Sequence, residues 1–277
     1  MIKKLLRRKS FLLPLLVLVL FSACVMIGAH FIGEAEGTTR INLGARLKSP
    51  AERPILGTDP SGRDMFGQLV IGTRNSLLIA LAITVLSTAV GSLFGLISGT
   101  FGGFVDLALM RLLDFVAMLP RMMLVIVLIP LIPSYNAITL TLMLGAIGWM
   151  RDARIVRGKA LLYRDASWVQ AARSMGIPRR VIIPRHVLPQ ITPAIIANFT
   201  IGLAGNIGVE SGLSFLGFGL PFATPSLGTL LSYAQTPENL QQRGWLWLPA
   251  LLIIFIIMIL IHSIGQAIIR EMSENGT

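Results

Sequence analysis

The chain runs to 277 residues, 54% of them hydrophobic and only 13% charged, with a mean hydropathy of +0.75. Those proportions exclude an ordinary soluble domain and imply several membrane helices. The formal net charge of +11 would suit a nucleic-acid binder, but 14 of the 24 Lys and Arg fall in two clusters that flank apolar segments. One cluster is Lys3, Lys4, Arg7, Arg8 and Lys9; the other holds nine residues from Arg151 to Arg185, against only Asp152 and Asp165. This is the positive-inside pattern of a multi-pass membrane protein, and no nucleic-acid partner is expected.

Phe11 to Gly33 is an uncharged run of 23 residues, enough to span a hydrocarbon core of about 30 Å. Phe21-Ser22-Ala23-Cys24 has the look of a lipoprotein cleavage site, yet the apolar run continues through Val25, Met26 and Ile27, which favours an uncleaved helix. Cys24 is the single cysteine and forms neither an internal disulfide nor a metal cluster.

Glu34 to Thr73 is polar, with five acidic and five basic residues, and without a positive excess it belongs outside. Its turn-rich stretch G-T-D-P-S-G-R-D-M-F starts at Gly57. Asp59 and Asp64 there have no converging ligands, so turn and cap roles are expected rather than a metal site or a carboxylate pair.

Asn75 to Ser98 is the second expected span. Gly91, Gly95 and Gly99 lie four apart on it and let another helix backbone approach closely. Phe101–Asp106 makes a tight inner turn. Span three is expected from Leu107 to Leu131, with Arg111 and Asp114 three apart as a packing pair and Arg121 beyond them. Ile138 to Met150 begins span four, which runs into the basic segment.

Ser167 to Pro189 interrupts the apolar chain with a basic, half-apolar insert. Trp168, Ala171, Ala172 and Met175 recur at helical spacing and are expected on one face, with Gln170, Arg173 and Ser174 opposite. Gly176 suits the left-handed residue that stops such a helix, and Pro178 the first turn of the next. A small helical knob results, on which a soluble partner can approach the two alanines and the glycine closely.

Span five is expected from Thr192 to Val209, with Gly202, Gly205 and Gly208 at threefold spacing and Glu210 ending it. The Gly and Pro content of residues 211–228 forbids a straight helix and implies a re-entrant or surface-lying element packed on protein. Trp245 and Trp247 mark the outer interface of the last span, Leu248 to Ile269. The segments are therefore 1–33, a basic start and first span; 34–73, extracytoplasmic; 74–270, a five-helix core with the insert 151–189; and 271–277, a cytoplasmic tail. Six spans put both termini on the cytoplasmic side, with the two basic clusters.

Catalytic chemistry is not legible. No G-x-x-x-x-G-K-[ST] loop occurs; Arg157-Gly158-Lys159-Ala160 lacks both the first glycine and the hydroxyl residue, so ATP is not expected to bind here. His30, His186 and His262 fall in different spans or loops, and no nucleophile–base pair is evident. The chain reads as neither an enzyme nor a cofactor carrier.

The insert also carries a resemblance. Q-A-A-x-x-x-G from Gln170, followed by R-H-V-L-P at residues 185–189, resembles the cytoplasmic coupling loop of ABC-transporter permeases, E-A-A-x-x-x-G…I-x-L-P. The R-H-V-L-P ending, the G-T-D-x-x-G-R-D segment, F-G-G-F-V-D and L-S-F-L-G-F-G…T-P-S-L-G are similar to the dipeptide/oligopeptide/nickel branch. The chain departs from that pattern at Gln170 (usually Glu), at the extra helix breaker Pro184, at Leu227 (usually Trp), and in a tail without Asp-Pro.

The resemblance implies an all-α integral membrane protein with the type I ABC-importer permease fold, in the cytoplasmic membrane of a prokaryote. It implies a transport subunit for di- or oligopeptides, with nickel or a metal chelate as the alternative. A non-transport membrane assembly protein is the distant one. Implied partners are a second related permease, two ATP-binding subunits, an extracytoplasmic solute-binding protein and membrane lipid. Gln170, Ala171, Ala172, Arg173, Gly176, His186, Leu188 and Pro189 would then form the ATPase-coupling loop. With few charges inside the spans, selectivity is expected mainly in the binding protein.

Overall fold

The structure is a computed structural model and describes residues 8–32, 41–52, 55–132 and 135–274. The described residues form eleven α-helices and a few single turns, with one isolated bridge between Thr58 and Asp64 and no named strand. Lys3, Lys4 and Arg7 of the first basic cluster lie outside the described residues.

Helix α1, Lys9–Ile32, is apolar throughout and buries only Val25 and Ala29, against α2 and the last helix. Helix α2, Met65–Phe101, starts ten residues before the expected Asn75. The cause is Asp64, whose carboxylate accepts the Gly67 N–H at 2.7 Å and caps the first turn. Asp59 serves the preceding turn, accepting the N–H groups of Ser61 and Arg63, each at 2.8 Å. Both aspartates take the turn and cap roles read from the sequence. Gly102, at φ +66°, then ends α2 in the left-handed region.

The expected span Leu107–Leu131 is broken. Helix α3, Gly103–Ala117, stops short of Pro120, and α4, Arg121–Leu128, departs at 74°. Proline has no N–H to donate and forces the residue before it out of the α region, so a kink belongs here. The expected Arg111–Asp114 pair is replaced. Asp114 instead accepts from Arg154 of the helix Ala137–Arg164 at 2.9 Å, a cross-helix pair that sequence spacing could not show.

Helix α5, Ala137–Arg164, is capped by Asn136, which accepts the Thr139 N–H at 3.0 Å. It contains the expected Ile138–Met150 segment and continues unbroken through the basic residues to Arg164. Helices α6, Ser167–Ser174, and α7, Arg179–Ile182, form the knob. Helix α8, Leu188–Phe215, does not end at Glu210 as expected. Glu210 is fully buried within it and bonds Ser76, Ser211, Ser214 and Ser226, so the carboxyl is solvated by hydroxyls rather than water. Ser76 in turn accepts the Leu227 N–H at 3.1 Å, which ties α9, Leu227–Leu231, to α2. After α10, Pro237–Gln242, the chain closes with α11, Leu248–Glu274.

Four helical stretches are long and apolar enough to cross a membrane: Lys9–Ile32, Met65–Phe101, Ile183–Phe215 and Leu248–Glu274. The bent α3–α4 pair makes a fifth if taken as one span. Helix α5 is not among them, because its second half is charged. The main core gathers Met65 and Leu69 of α2, Ile207 of α8, Leu227 and Leu230 of α9, and Ile257 and Ile261 of α11. Arg8 reaches Glu271 at 3.0 Å and also pairs with Glu274, so the start of α1 and the end of α11 meet at one end of the bundle.

Candidate functional site

Two features are the candidates for function: the knob, and a polar cavity beside the middle of α5. Both depend on how α5 is held.

The three glycines of α2 face α5 at backbone contact. A Cβ on Gly91 would lie 2.6 Å from the Trp149 carbonyl oxygen. One on Gly95 would strike the Ala153 carbonyl and sit 2.9 Å from Val156 Cβ; one on Gly99 would sit 2.7 Å from Ala160 Cβ. Removing side chains from α2 brings the helices close enough for short polar groups to bridge them. Asp152 of α5, 3% exposed, accepts from Thr88 of α2 at 3.1 Å and from Asn198 of α8 at 3.0 Å. Below it Arg157 donates to Asp106 at 2.6 Å, which pins α3 to α5.

The knob follows directly. Gln170 donates through Nε2 to the Asp165 carbonyl at 3.0 Å and so clasps the start of α6 to the end of α5. Val169 and Ala172 bury themselves against Ile182 and Val187, with Leu96 of α2 and Tyr163 of α5 packed on that small core. Gly176 takes φ +79°, and the Ile177 N–H bonds back to the Ala172 carbonyl at 3.1 Å, a Schellman-type stop.

The expected common face of Trp168, Ala171, Ala172 and Met175 is divided. Ala172 turns inward with Val169, while Trp168 (38% exposed), Ala171 and Met175 (72% exposed) look outward together with Gly176. The inward face was chosen by Val169, whose isopropyl group fills the small core better than a second alanine. Arg173 is half-buried, and its Nε has no hydrogen-bond acceptor among the described residues.

Pro184 does not break the chain into two helices. It sits in a π-helical turn, Ile183–Val187, where the Leu188 N–H reaches back to the Ile183 carbonyl. The wider turn relieves the clash of the proline ring with the preceding turn. His186 is exposed with its ring 6.3 Å from that of Trp168; Leu188 is half-buried and Pro189 exposed. Gln170, Ala171, Gly176 and His186 are thus all exposed, with His186 beside Trp168 of the knob. His30 and His262 belong to α1 and α11, away from that knob in the chain.

The cavity, about 520 Å³, opens where the α3–α4 bend meets α2, α5 and α8. Arg121, Arg151, Asp152, Arg154 and Asn206 line it with apolar neighbours. Asn206 donates to Thr84 at 2.9 Å and accepts from Arg121 at 3.2 Å, linking α8 to α2 and α4. Sequence reading passed over Asn206 and Asp152. The available signal was a lone carboxamide within a glycine-rich apolar run, a group that must find a partner when buried.

Comparison with known proteins fits this architecture. The family model described as "Binding-protein-dependent transport system inner membrane component" matches residues 91–274. The oligopeptide transport system permease protein OppC of Lactococcus lactis subsp. cremoris is 42% identical over 216 residues, 78% of this chain and 74% of that protein. The OppC protein of Mycobacterium bovis is 35% identical over 79% of this chain and 75% of its own length. The Escherichia coli inner membrane ABC transporter permease protein YejE is 35% identical over 84% of this chain and 68% of its length. A solved inward-facing structure of the MetNI methionine ABC transporter superposes with a TM-score of 0.63 at 19% identity, over 75% of this chain and 97% of that one. A model match over most of the chain, relatives above one-third identity and a shared helical fold agree: the chain belongs to the inner-membrane components of binding-protein-dependent transport systems.

Proposed function

We propose that the chain is one of two permease subunits of an ATP-binding-cassette importer that carries peptides into the cell. The observation that carries this is the knob: an exposed Trp168–Ala171–Met175–Gly176 surface on its own small core, clasped to α5 and packed on α2. An ATPase subunit pressing on that surface moves a rigid element rather than a loose loop. Gln170, Ala171, Ala172, Arg173, Gly176, His186, Leu188 and Pro189 make or support the seat. Peptide as the cargo, rather than nickel, rests on the oligopeptide permeases among the relatives.

The complete importer in this reading adds a sister permease, two ATPases and an extracytoplasmic binding protein. ATP-driven closure of the motors shifts the pathway between two states whose affinities for cargo must differ. Six crossings with both ends cytoplasmic fit the Arg8–Glu271 ion pair and the two basic clusters. In that topology α5 crosses with its apolar half and extends its charged half below the membrane.

Two measurements test it. The tagged chain should co-purify with a second permease and two ATPases, and the reconstituted complex should take up labelled peptide only with ATP and binding protein. Reporter fusions after Lys9 and Tyr163 should lie inside, and those after Arg46 and Asn239 outside. A Tyr163 fusion on the outer side would refute the six-crossing topology and the coupling role together.

A further inference from the structure

Three guanidinium groups and one carboxylate line the cavity at the α3–α4 bend. Asp152 is already committed to Thr88 and Asn198, and lies 3.5 Å from Arg151. Arg154 is neutralised by Asp114. Arg121 differs from both. Its Nη2 donates to the Leu144 carbonyl at 3.1 Å and to the Asn206 side-chain oxygen at 3.2 Å, neither of them charged. Its buried Nε has no hydrogen-bond acceptor, and no carboxylate among the described residues lies within ion-pair distance of it. Asp152 attracts Arg121 only from beyond ion-pair distance, and a partly buried cation held no more closely than that gains when an anion arrives.

The start of α4 adds to this. Arg121 is its first residue, Pro120 precedes it, and no side chain caps the helix. The positive end of the helix therefore lies at Pro120 and Arg121, both in the cavity wall, and the first open N–H is that of Arg121. A planar guanidinium beside a helix N-terminus is suited to a carboxylate, which it can hold through two parallel hydrogen bonds. Its volume falls within the roughly 300–1,000 Å³ of small-ligand pockets, room for the last residues of a peptide.

We propose that this cavity is a staging site for the cargo, in which Arg121 and the start of α4 receive the peptide's terminal carboxylate. The proposal rests on the peptide-importer reading above. Every linear peptide ends in a carboxylate whatever its side chains, so one cation in the path grips all of them without selecting a sequence. Arg151, more exposed at the same cavity, supplies a second positive charge on the way to it.

The test uses the complete importer in vesicles of zwitterionic lipid, with binding protein, and compares uptake of trialanine with that of its C-terminal amide. The acid-to-amide ratio of each variant is divided by that of the wild type, which cancels the preference of the binding protein. Arg121→Gln should lower uptake of the acid about tenfold, the worth of one charge-assisted hydrogen bond, and leave the amide unchanged. Arg121→Lys should retain part of the acid uptake. Should Arg121→Gln fail to assemble, Arg151→Gln should give a smaller loss confined to the acid. Equal losses for both peptides, or no loss for the acid, would overturn the proposal and make Arg121 a structural residue. Acid selectivity that depends on Arg121 only in vesicles of anionic lipid would assign the site to a lipid headgroup and overturn it as well. A wild-type complex that takes up neither peptide would instead refute the peptide-importer reading on which the proposal stands.

Discussion

Of the three α2 glycines, Gly95 approaches the α5 backbone most closely, and adding a single methyl group there tests whether that contact organises the subunit. The new Cβ would meet three α5 atoms: the Ala153 carbonyl oxygen, Val156 Cβ at 2.9 Å and the Arg157 backbone nitrogen at 3.0 Å. Two of these are backbone and cannot rotate aside. Restoring an ordinary carbon contact of about 3.5–4.0 Å would move α5 away by close to its own misfit, about 1 Å. Overpacking of that kind costs about 1–3 kcal/mol for Gly95→Ala, and more for Gly95→Leu. The same shift stretches the Asp152–Thr88 hydrogen bond, now 3.1 Å. Gly158→Ala is the internal control, since it lies on α5 with nothing within 4 Å of the new atom; it should gain about 0.5–1 kcal/mol of helix stability. Thermal melting and gel-filtration yield of the purified complex measure both. A Gly95→Ala complex that melts with the wild type, or no better than Gly158→Ala separates from it, would mean that the ridge bears no load between the helices.

Ala171→Arg should leave membrane insertion intact and weaken ATPase association at least about tenfold, because the exposed seat then carries bulk and charge; unchanged association and uptake would remove the knob from the coupling role. Asp59→Ala should cost about 3–5 kcal/mol of complex stability, since this buried carboxylate holds Arg63 at 2.7 Å, Tyr233 at 3.1 Å and Gln68 at 3.2 Å; a melt unchanged from the wild type would refute that. Burial first, and then the Asp59 charge, push the Tyr233 hydroxyl from 10 up to about 12. The folded protein therefore holds this proton where the unfolded chain has lost it, so stability falls as pH rises from 10 to 12. Tyr233→Phe should flatten that part of the alkaline unfolding profile, and an unaltered profile would count against it.

Much of this was legible because the membrane imposes period and length. The apolar runs located α1, α2, α8 and α11, since a helix must satisfy its own backbone in lipid. Asp64 as a cap and Gly176 as a stop followed from local backbone chemistry, which needs no tertiary information. Three features were not legible, each for a physical reason. Asp114 had a partner three residues away in sequence, but Arg154 forty residues on offered a better geometry across helices. Glu210 looks like a terminator, and only the convergence of four serines from α2, α8 and the turn before α9 makes it tolerable inside a helix. The inward turn of Ala172 depended on the π-helical turn at Pro184, which sets where Val187 sits against Val169. Gln170 shows the same dependence. Its Nε2 donates to the Asp165 carbonyl, a bond that the family's usual Glu cannot make, so the departure from the motif strengthens the clasp to α5.

The position of α5 gives these separate observations one mechanical sense. As an unbroken helix of 28 residues it is about 42 Å long at 1.5 Å per residue. Its middle carries Arg151, Asp152 and Arg154 at the cavity, and its last turn carries Tyr163 and the clasp to Gln170 at the knob. Between them the glycine ridge of α2 holds its backbone at contact distance, so it cannot bend toward α2 without a clash. Under the proposed coupling role, a push on Ala171 would therefore be passed along α5 as a slide or a tilt. Slide or tilt, it acts on Asp152, whose bonds to Thr88 and Asn198 join α5 to α2 and α8. Those are two of the walls of the cavity lined by Arg121. In the proposed importer, motor and cargo sites would thus sit at the end and the middle of one rigid helix, where packing that tight lets a small movement at the knob change the shape of the cavity.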